Sequence, residues 1–128
     1  MIDVDALTRK FQKELNAGTT ALVLLALLAR RGGPLYGYEI AKQLAAGDPD
    51  LALGKQGALY PVLRALAEEG LLESWVEPSV AGPPRRYYRI TQDGRSALVE
   101  WRRLWRRTRD LVDGQLAGKK TGTKVQED

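Results

Sequence analysis

The sequence predicts a mainly α-helical chain with one small β hairpin, an α+β fold, and three observations predict it. Apolar residues recur at helical spacing through most of the chain. A strand-like stretch replaces that pattern only between residues 71 and 91, and Gly/Pro-rich punctuation separates the segments. At 128 residues, 44% hydrophobic and 28% charged, the chain is one domain's worth of ordinary globular sequence.

Each element has its own signal. Val4, Leu7, Phe11 and Leu15 mark a first amphipathic helix that ends near Asn16 to Gly18. Thr19 or Thr20 is placed to cap a second helix through Leu22 to Leu28, apolar nearly all round and therefore expected at the centre of the core. Arg30 and Arg31 complement the dipole at its end, and Gly32-Gly33-Pro34 stops it. A third helix around Gly37 to Ala46 has Tyr38, Ile40, Ala41 and Leu44 as its inner face. After the turn signal Gly47-Asp48-Pro49-Asp50, a fourth helix begins near Lys55 and extends to Glu69. Its apolar stripe is Leu59, Val62, Leu63 and Leu66, and Gly70 ends it.

Leu71 to Glu77 then reads as a strand, and Arg85 to Thr91 as the returning strand with Tyr88 and Ile90 on one side. Between them Pro78 to Pro84 fits neither regular element. Adjacent strand residues face opposite ways, so only one of Tyr87 and Tyr88 belongs to the core, where Trp75 is also expected. Thr91-Gln92-Asp93 caps a last helix that runs to about Leu116, and the composition from Ala117 to Asp128 predicts a frayed tail.

Composition narrows the function classes. No histidine and no cysteine are present, which removes the usual general base, the commonest metal ligand and all thiolate chemistry. A binding protein is expected rather than an enzyme, with no cofactor and no metal. Asp48 and Asp50 flank a turn proline and Glu68 and Glu69 end a helix, and neither pair has further ligands nearby. The longest apolar run, Ala21 to Ala29, is about half of a bilayer span. The N-terminus shows no basic stretch followed by an apolar one, so a cytoplasmic protein without a membrane partner is expected. Charge is unevenly spread. Residues 1–84 carry 8 basic and 10 acidic residues, whereas Arg85 to Arg109 holds 9 arginines against Asp93 and Glu100. Such a concentration suits a polyanionic partner, although a solvated helix face would look the same.

Helices followed by a two-stranded hairpin give the element order of a winged helix-turn-helix. The third and fourth helices form the helix-turn-helix pair, and the N-terminal residues of the second of them face base edges. The hairpin tip Gly82-Pro83-Pro84-Arg85-Arg86 is a stiff wing whose arginines suit phosphates or a narrow minor groove. The division expected is residues 1–91 as the DNA-binding unit with its N-terminal helix, 92–116 as a C-terminal dimerisation helix and 117–128 as a flexible tail.

Four blocks in order strengthen this reading. Leu35-Tyr36-Gly37-Tyr38-Glu39-Ile40, Gly57 to Leu66, Glu69-Gly70-Leu71-Leu72, and Gly82 to Thr91 followed by Asp93-Gly94 resemble the PadR family of transcriptional regulators. The chain looks like the short subgroup with a single C-terminal helix. The resemblance implies a homodimeric repressor, usually released from operator DNA by a small, often aromatic molecule. It also implies DNA contacts from Lys55, Gln56 and Tyr60 at the start of the recognition helix, and backbone contacts from Tyr36, Arg64, Arg85 and Arg86. Ala58 stands where the family more often has threonine. Pro61 conflicts with this layout, because a proline ring clashes with the carbonyl four residues earlier and so favours a helix starting at Pro61 itself. An irregular first turn around Gly57 reconciles the two.

On the last helix Leu98, Trp101, Trp105, Thr108 and Val112 repeat at steps of three and four, a helix-packing seam broad enough to need a partner chain. In a two-fold dimer the tryptophans could line a cavity for a flat, apolar effector, or simply fill the interface. Leu98, Trp101, Trp105 and Val112 are the candidate effector and dimer residues. Three rivals stay open at this point. They are a winged helix used for protein contacts without DNA, a basic helix lying on a membrane surface, and an enzyme.

Overall fold

The computed structural model describes residues 1–51 and 53–118. Asp3 opens the first helix, its carboxylate accepting from the Ala6 amide, and α1 then runs unbroken from Val4 to Arg31. Two helices were expected here. The predicted break does not occur because Thr19 and Thr20 do not cap a new helix. Their hydroxyls bond back to the carbonyls of Leu15 and Asn16, at 2.9 and 2.6 Å, inside a continuous ladder. The end is as predicted, with the Gly32 amide closing on the Leu28 carbonyl.

A two-residue strand β1, Leu35–Tyr36, follows and was not foreseen. The helix-turn-helix pair is α2, Gly37–Gly47, and α3, Gln56–Glu68, joined through a 3-10 turn at Pro49–Leu51. The hairpin strands are β2, Leu72–Glu77, and β3, Arg85–Ile90, followed by α4, Gln92–Leu116. The sheet is antiparallel in the order β1-β3-β2, with Tyr36 and Trp75 both opposite Tyr87. Thr91 caps α4 by accepting from the Gly94 amide. Most of the predicted tail, residues 119–128, lies outside the described residues.

Every element contributes to one core. Leu24, Leu25 and Leu28 of α1, Ile40 of α2, Leu59 and Leu63 of α3, Leu72 and Tyr88 of the hairpin and Leu98 of α4 are all buried together. Burial is confined to the inner halves of the long helices. On α1 it begins at Thr20, and on α4 it stops at Leu98. The outer halves therefore project from the core with their apolar residues uncovered. Among the described residues no helix is long and apolar enough to cross a membrane.

Candidate nucleic-acid interface

Pro61 sits at the sixth position of α3 and not at its start. The proline rule is overridden by a tightened first turn, in which the amides of Ala58 and Leu59 both bond the Lys55 carbonyl, at 3.1 and 2.9 Å. The residue four positions before Pro61 is Gly57, which is exposed, so the carbonyl that loses its amide partner to the proline is open to water. This start places Lys55 at the N-cap and Gln56 in the first turn, both exposed. The turn before it is held from two sides. Gly54 lies against the backbone of α2 at Ala41 and Ala45, and the Asn16 side chain of α1 donates to the Leu51 carbonyl at 2.8 Å.

A cleft of about 620 Å³ opens between the N-terminus of α2, one side of α3 and the wing. Tyr36, Tyr60, Arg64, Arg85 and Arg86 all line it, so the structure brings together these expected contact residues from three distant parts of the chain. Lys55 and Gln56 stand apart, at the tip of α3. Tyr60 is half-buried with its ring against Gly37, on the cleft side of the helix rather than its outer face. Arg85 and Arg86, adjacent on β3, are held differently. The Arg85 guanidinium lies 4.4 Å from the centre of the Tyr36 ring, whereas Arg86 donates to the Ser74 hydroxyl at 3.1 Å.

Sequence reasoning missed several partners in this region. Tyr38 was assigned to the inner face of its helix but is 55% exposed, and stacks on Tyr36 with ring centres 6.4 Å apart. Trp75 was expected in the core; it lies half-buried and stacks on Tyr87 at 6.1 Å. Tyr87 in turn meets Tyr36 at 5.7 Å, so aromatic rings cross the outer face of all three strands. Arg89 closes the row over Trp75 and pairs with Glu73. The cross-strand register Tyr36–Tyr87–Trp75 was invisible without β1. Tyr88 is the core tyrosine of the pair. Burial pushes its hydroxyl pKa up, against the opposing pull of Arg86 and Arg64, so it stays neutral at physiological pH.

The second candidate region is a groove of about 450 Å³ between the outer halves of α1 and α4. Trp101, Leu104, Trp105 and Thr108 form one wall, and Leu15, Thr19 and Leu22 form the other, with Glu14 the lone charge. The expected seam is divided by the structure. Leu98 is 6% exposed and belongs to the chain's own core, Trp101 is half-buried, and Trp105 and Val112 remain open at 40% and 47%. The α1 wall was missed because the sequence was read as two helices, neither of them paired with the last.

Comparison with known proteins accords with this geometry. Residues 24–100 match the transcriptional regulator PadR-like family. The fold is similar to that of a PadR family transcriptional regulator from Eggerthella lenta, at 32% identity and a TM-score of 0.73, covering 88% of this chain and 95% of that one. It is also similar to a PadR-like transcriptional regulator from Bacillus cereus, at 27% identity and a TM-score of 0.66, covering 80% of this chain and 96% of that one. A transcriptional regulator of Mycobacterium tuberculosis is 47% identical over 60 residues, which are 46% of this chain and 55% of that protein. These relatives are regulators and not enzymes. The match runs from the core half of α1, through the helix-turn-helix and the wing, into α4, and on that extent the chain belongs to the PadR-like family of transcriptional regulators.

Proposed function

We propose that the chain is a homodimeric, sequence-specific repressor that sets two copies of α3 into successive major-groove segments of a pseudo-palindromic operator. The observation that carries this reading is the convergence of Tyr36, Tyr60, Arg64, Arg85 and Arg86 on one cleft beside α3, which leaves Lys55 and Gln56 free at the helix tip. A helix start facing base edges, flanked by arginines and tyrosine hydroxyls for phosphate, is the division of labour that duplex recognition needs. Dimerisation is supported by the uncovered apolar residues of the outer α1 and α4. Release by a small apolar or aromatic molecule is supported by the tryptophan-walled groove between those helices, where Glu14 would favour a cationic ligand. Such a ligand acts only if it binds one dimer spacing better than the other.

The test is selection of duplexes from a random pool, followed by titrations at several salt concentrations. Lys55→Ala should weaken binding to the selected duplex more than to random DNA. Arg85→Ala should weaken both and reduce the slope of log K against log salt by about 0.9, the share of one phosphate contact. An unchanged slope would remove the wing from the phosphate backbone. Failure to enrich any duplex would favour a winged helix used for protein contacts.

A further inference from the structure

The outer face of the hairpin offers two cross-strand sites for a glutamate–arginine pair, and only one of them is closed. Glu73, Trp75 and Glu77 of β2 stand opposite Arg89, Tyr87 and Arg85 of β3, and alternation puts all six on one face. At the root of the hairpin Arg89 pairs with Glu73. Next to the wing tip the same pairing is open to Arg85 and Glu77, both exposed, yet neither takes part in an ion pair among the described residues. Glu77 is turned back along its own strand, where its carboxylate accepts from the Trp75 indole Nε1–H at 2.7 Å. Arg85 is drawn the other way, toward β1. Its guanidinium lies over the Tyr36 ring, 4.4 Å from the centre, and lines the cleft with Arg64 and Arg86.

Opposite charges facing each other across two strands attract, so this pair stays open only because something else holds the carboxylate. The indole does so, and it is itself fixed, stacked on Tyr87 at 6.1 Å and covered by the Arg89 guanidinium at 5.2 Å. A guanidinium resting on an aromatic face keeps the N–H groups of its edge free, and those are the groups that a phosphate accepts from. We propose that Trp75 is a positioning residue for DNA binding: by holding Glu77 it keeps Arg85 from being neutralised at the cleft. Glu77 is then a latent inhibitor of the wing, one hydrogen bond from capturing the arginine that the backbone needs. The inference rests on the reading that the wing meets a duplex, and names what keeps its arginine available.

The experiment uses the full chain in two arms. In the free protein, heteronuclear NMR reads the indole and guanidinium N–H signals. Glu77→Gln should shift the Trp75 indole signal, which is the one missing from Trp75→Phe. Trp75→Phe should shift the Arg85 Nε–H signal, and the double variant Trp75→Phe/Glu77→Gln should return it. On the selected duplex Trp75→Phe, which keeps a ring on Tyr87 but has no N–H, should bind about threefold more weakly, the worth of one exposed cross-strand pair. Its salt slope should fall, as expected for Arg85→Ala. Glu77→Gln should restore affinity and slope in that background, and change them less in the wild-type chain. A Glu77→Gln effect of equal size in both backgrounds would overturn the inference, by tracing any loss to the hairpin itself. An Arg85 signal that ignores Trp75→Phe would overturn it too, and in either case the regulator reading stands. If no duplex is selected at all, that reading fails and this inference with it.

Discussion

Gly54 shows how narrowly the start of α3 is placed. A Cβ at this position would stand 2.6 Å from the Ala41 carbonyl oxygen and 2.8 Å from the Ala45 amide nitrogen, both backbone atoms of α2 that cannot swing aside. Only the absence of a side chain lets the turn lie against α2, and that contact fixes where Gln56 starts. Gly54→Ala should lower stability by about 1–3 kcal/mol, the usual cost of forcing atoms into filled space. Urea unfolding reads this as a lower midpoint with an unchanged slope. From the other side the Gln12 amide donates to the Asn16 side chain at 2.7 Å, and Asn16 donates to the Leu51 carbonyl. Polar residues on α1 thus share in placing a turn 35 residues away in sequence.

Among the elements, the start of α4 depends on one threonine. The Thr91 hydroxyl accepts from the Gly94 amide at 3.0 Å and donates to the Gly70 carbonyl at 2.7 Å, while its backbone amide bonds the Leu71 carbonyl. It joins the end of the helix-turn-helix unit to the last helix. Thr91→Ala should cost about 1 kcal/mol, as cap removal generally does, whereas Thr91→Ser should recover most of it, read as thermal midpoints side by side.

The cap at Thr91, the stop at Gly32 and the strand stretches at Leu72 and Arg85 are local signals, and each was readable before any coordinates. What was not readable depends on distant chain. Gly18-Thr19-Thr20 has the composition of a stop followed by a cap, but both hydroxyls bond back into the ladder and Thr20 is buried against the core, so the helix runs through it. Leu35–Tyr36 is too short to alternate, and becomes a strand because Tyr87 and Tyr88 offer it a free edge. Pro61 misleads because the rule it invokes concerns one turn in isolation. The contact residues at the cleft came from motif resemblance, but the stacking of Tyr38 on Tyr36 and the α1 wall of the tryptophan groove needed the fold.

For the molecule as a whole, the exposed apolar residues gather on the outer halves of α1 and α4. Val4, Leu7, Phe11 and Leu15 on α1, with Leu104, Trp105, Leu111 and Val112 on α4, are exposed outside the core. In the proposed dimer these residues are covered twice over by symmetry. Phe11, 62% exposed, takes no part in the core, so Phe11→Asp should leave the helical content and the unfolding of the monomer unaffected. It should weaken association about 100-fold or more, because two phenylalanine burials are lost per dimer. Sedimentation across a concentration series checks this, and a dimer unaffected by the charge would place the contact elsewhere. The arginine-rich side of α4 carries ion pairs only at Arg103–Glu100 and Arg109–Asp110 among the described residues, which leaves most of its positive charge to act at long range.

The unbroken course of α1 has a mechanical meaning. A rod of 28 residues, about 42 Å long, cannot bend at its middle without losing hydrogen bonds, so it behaves as a lever with its inner half clamped between leucines. Its free arm carries Phe11 and Leu15, and the Asn16 side chain, close to the fulcrum, grips the loop ahead of Gln56. In the proposed regulator, a ligand wedged beside Trp105 would press on that arm, and the arm would carry the displacement to the turn ahead of Gln56.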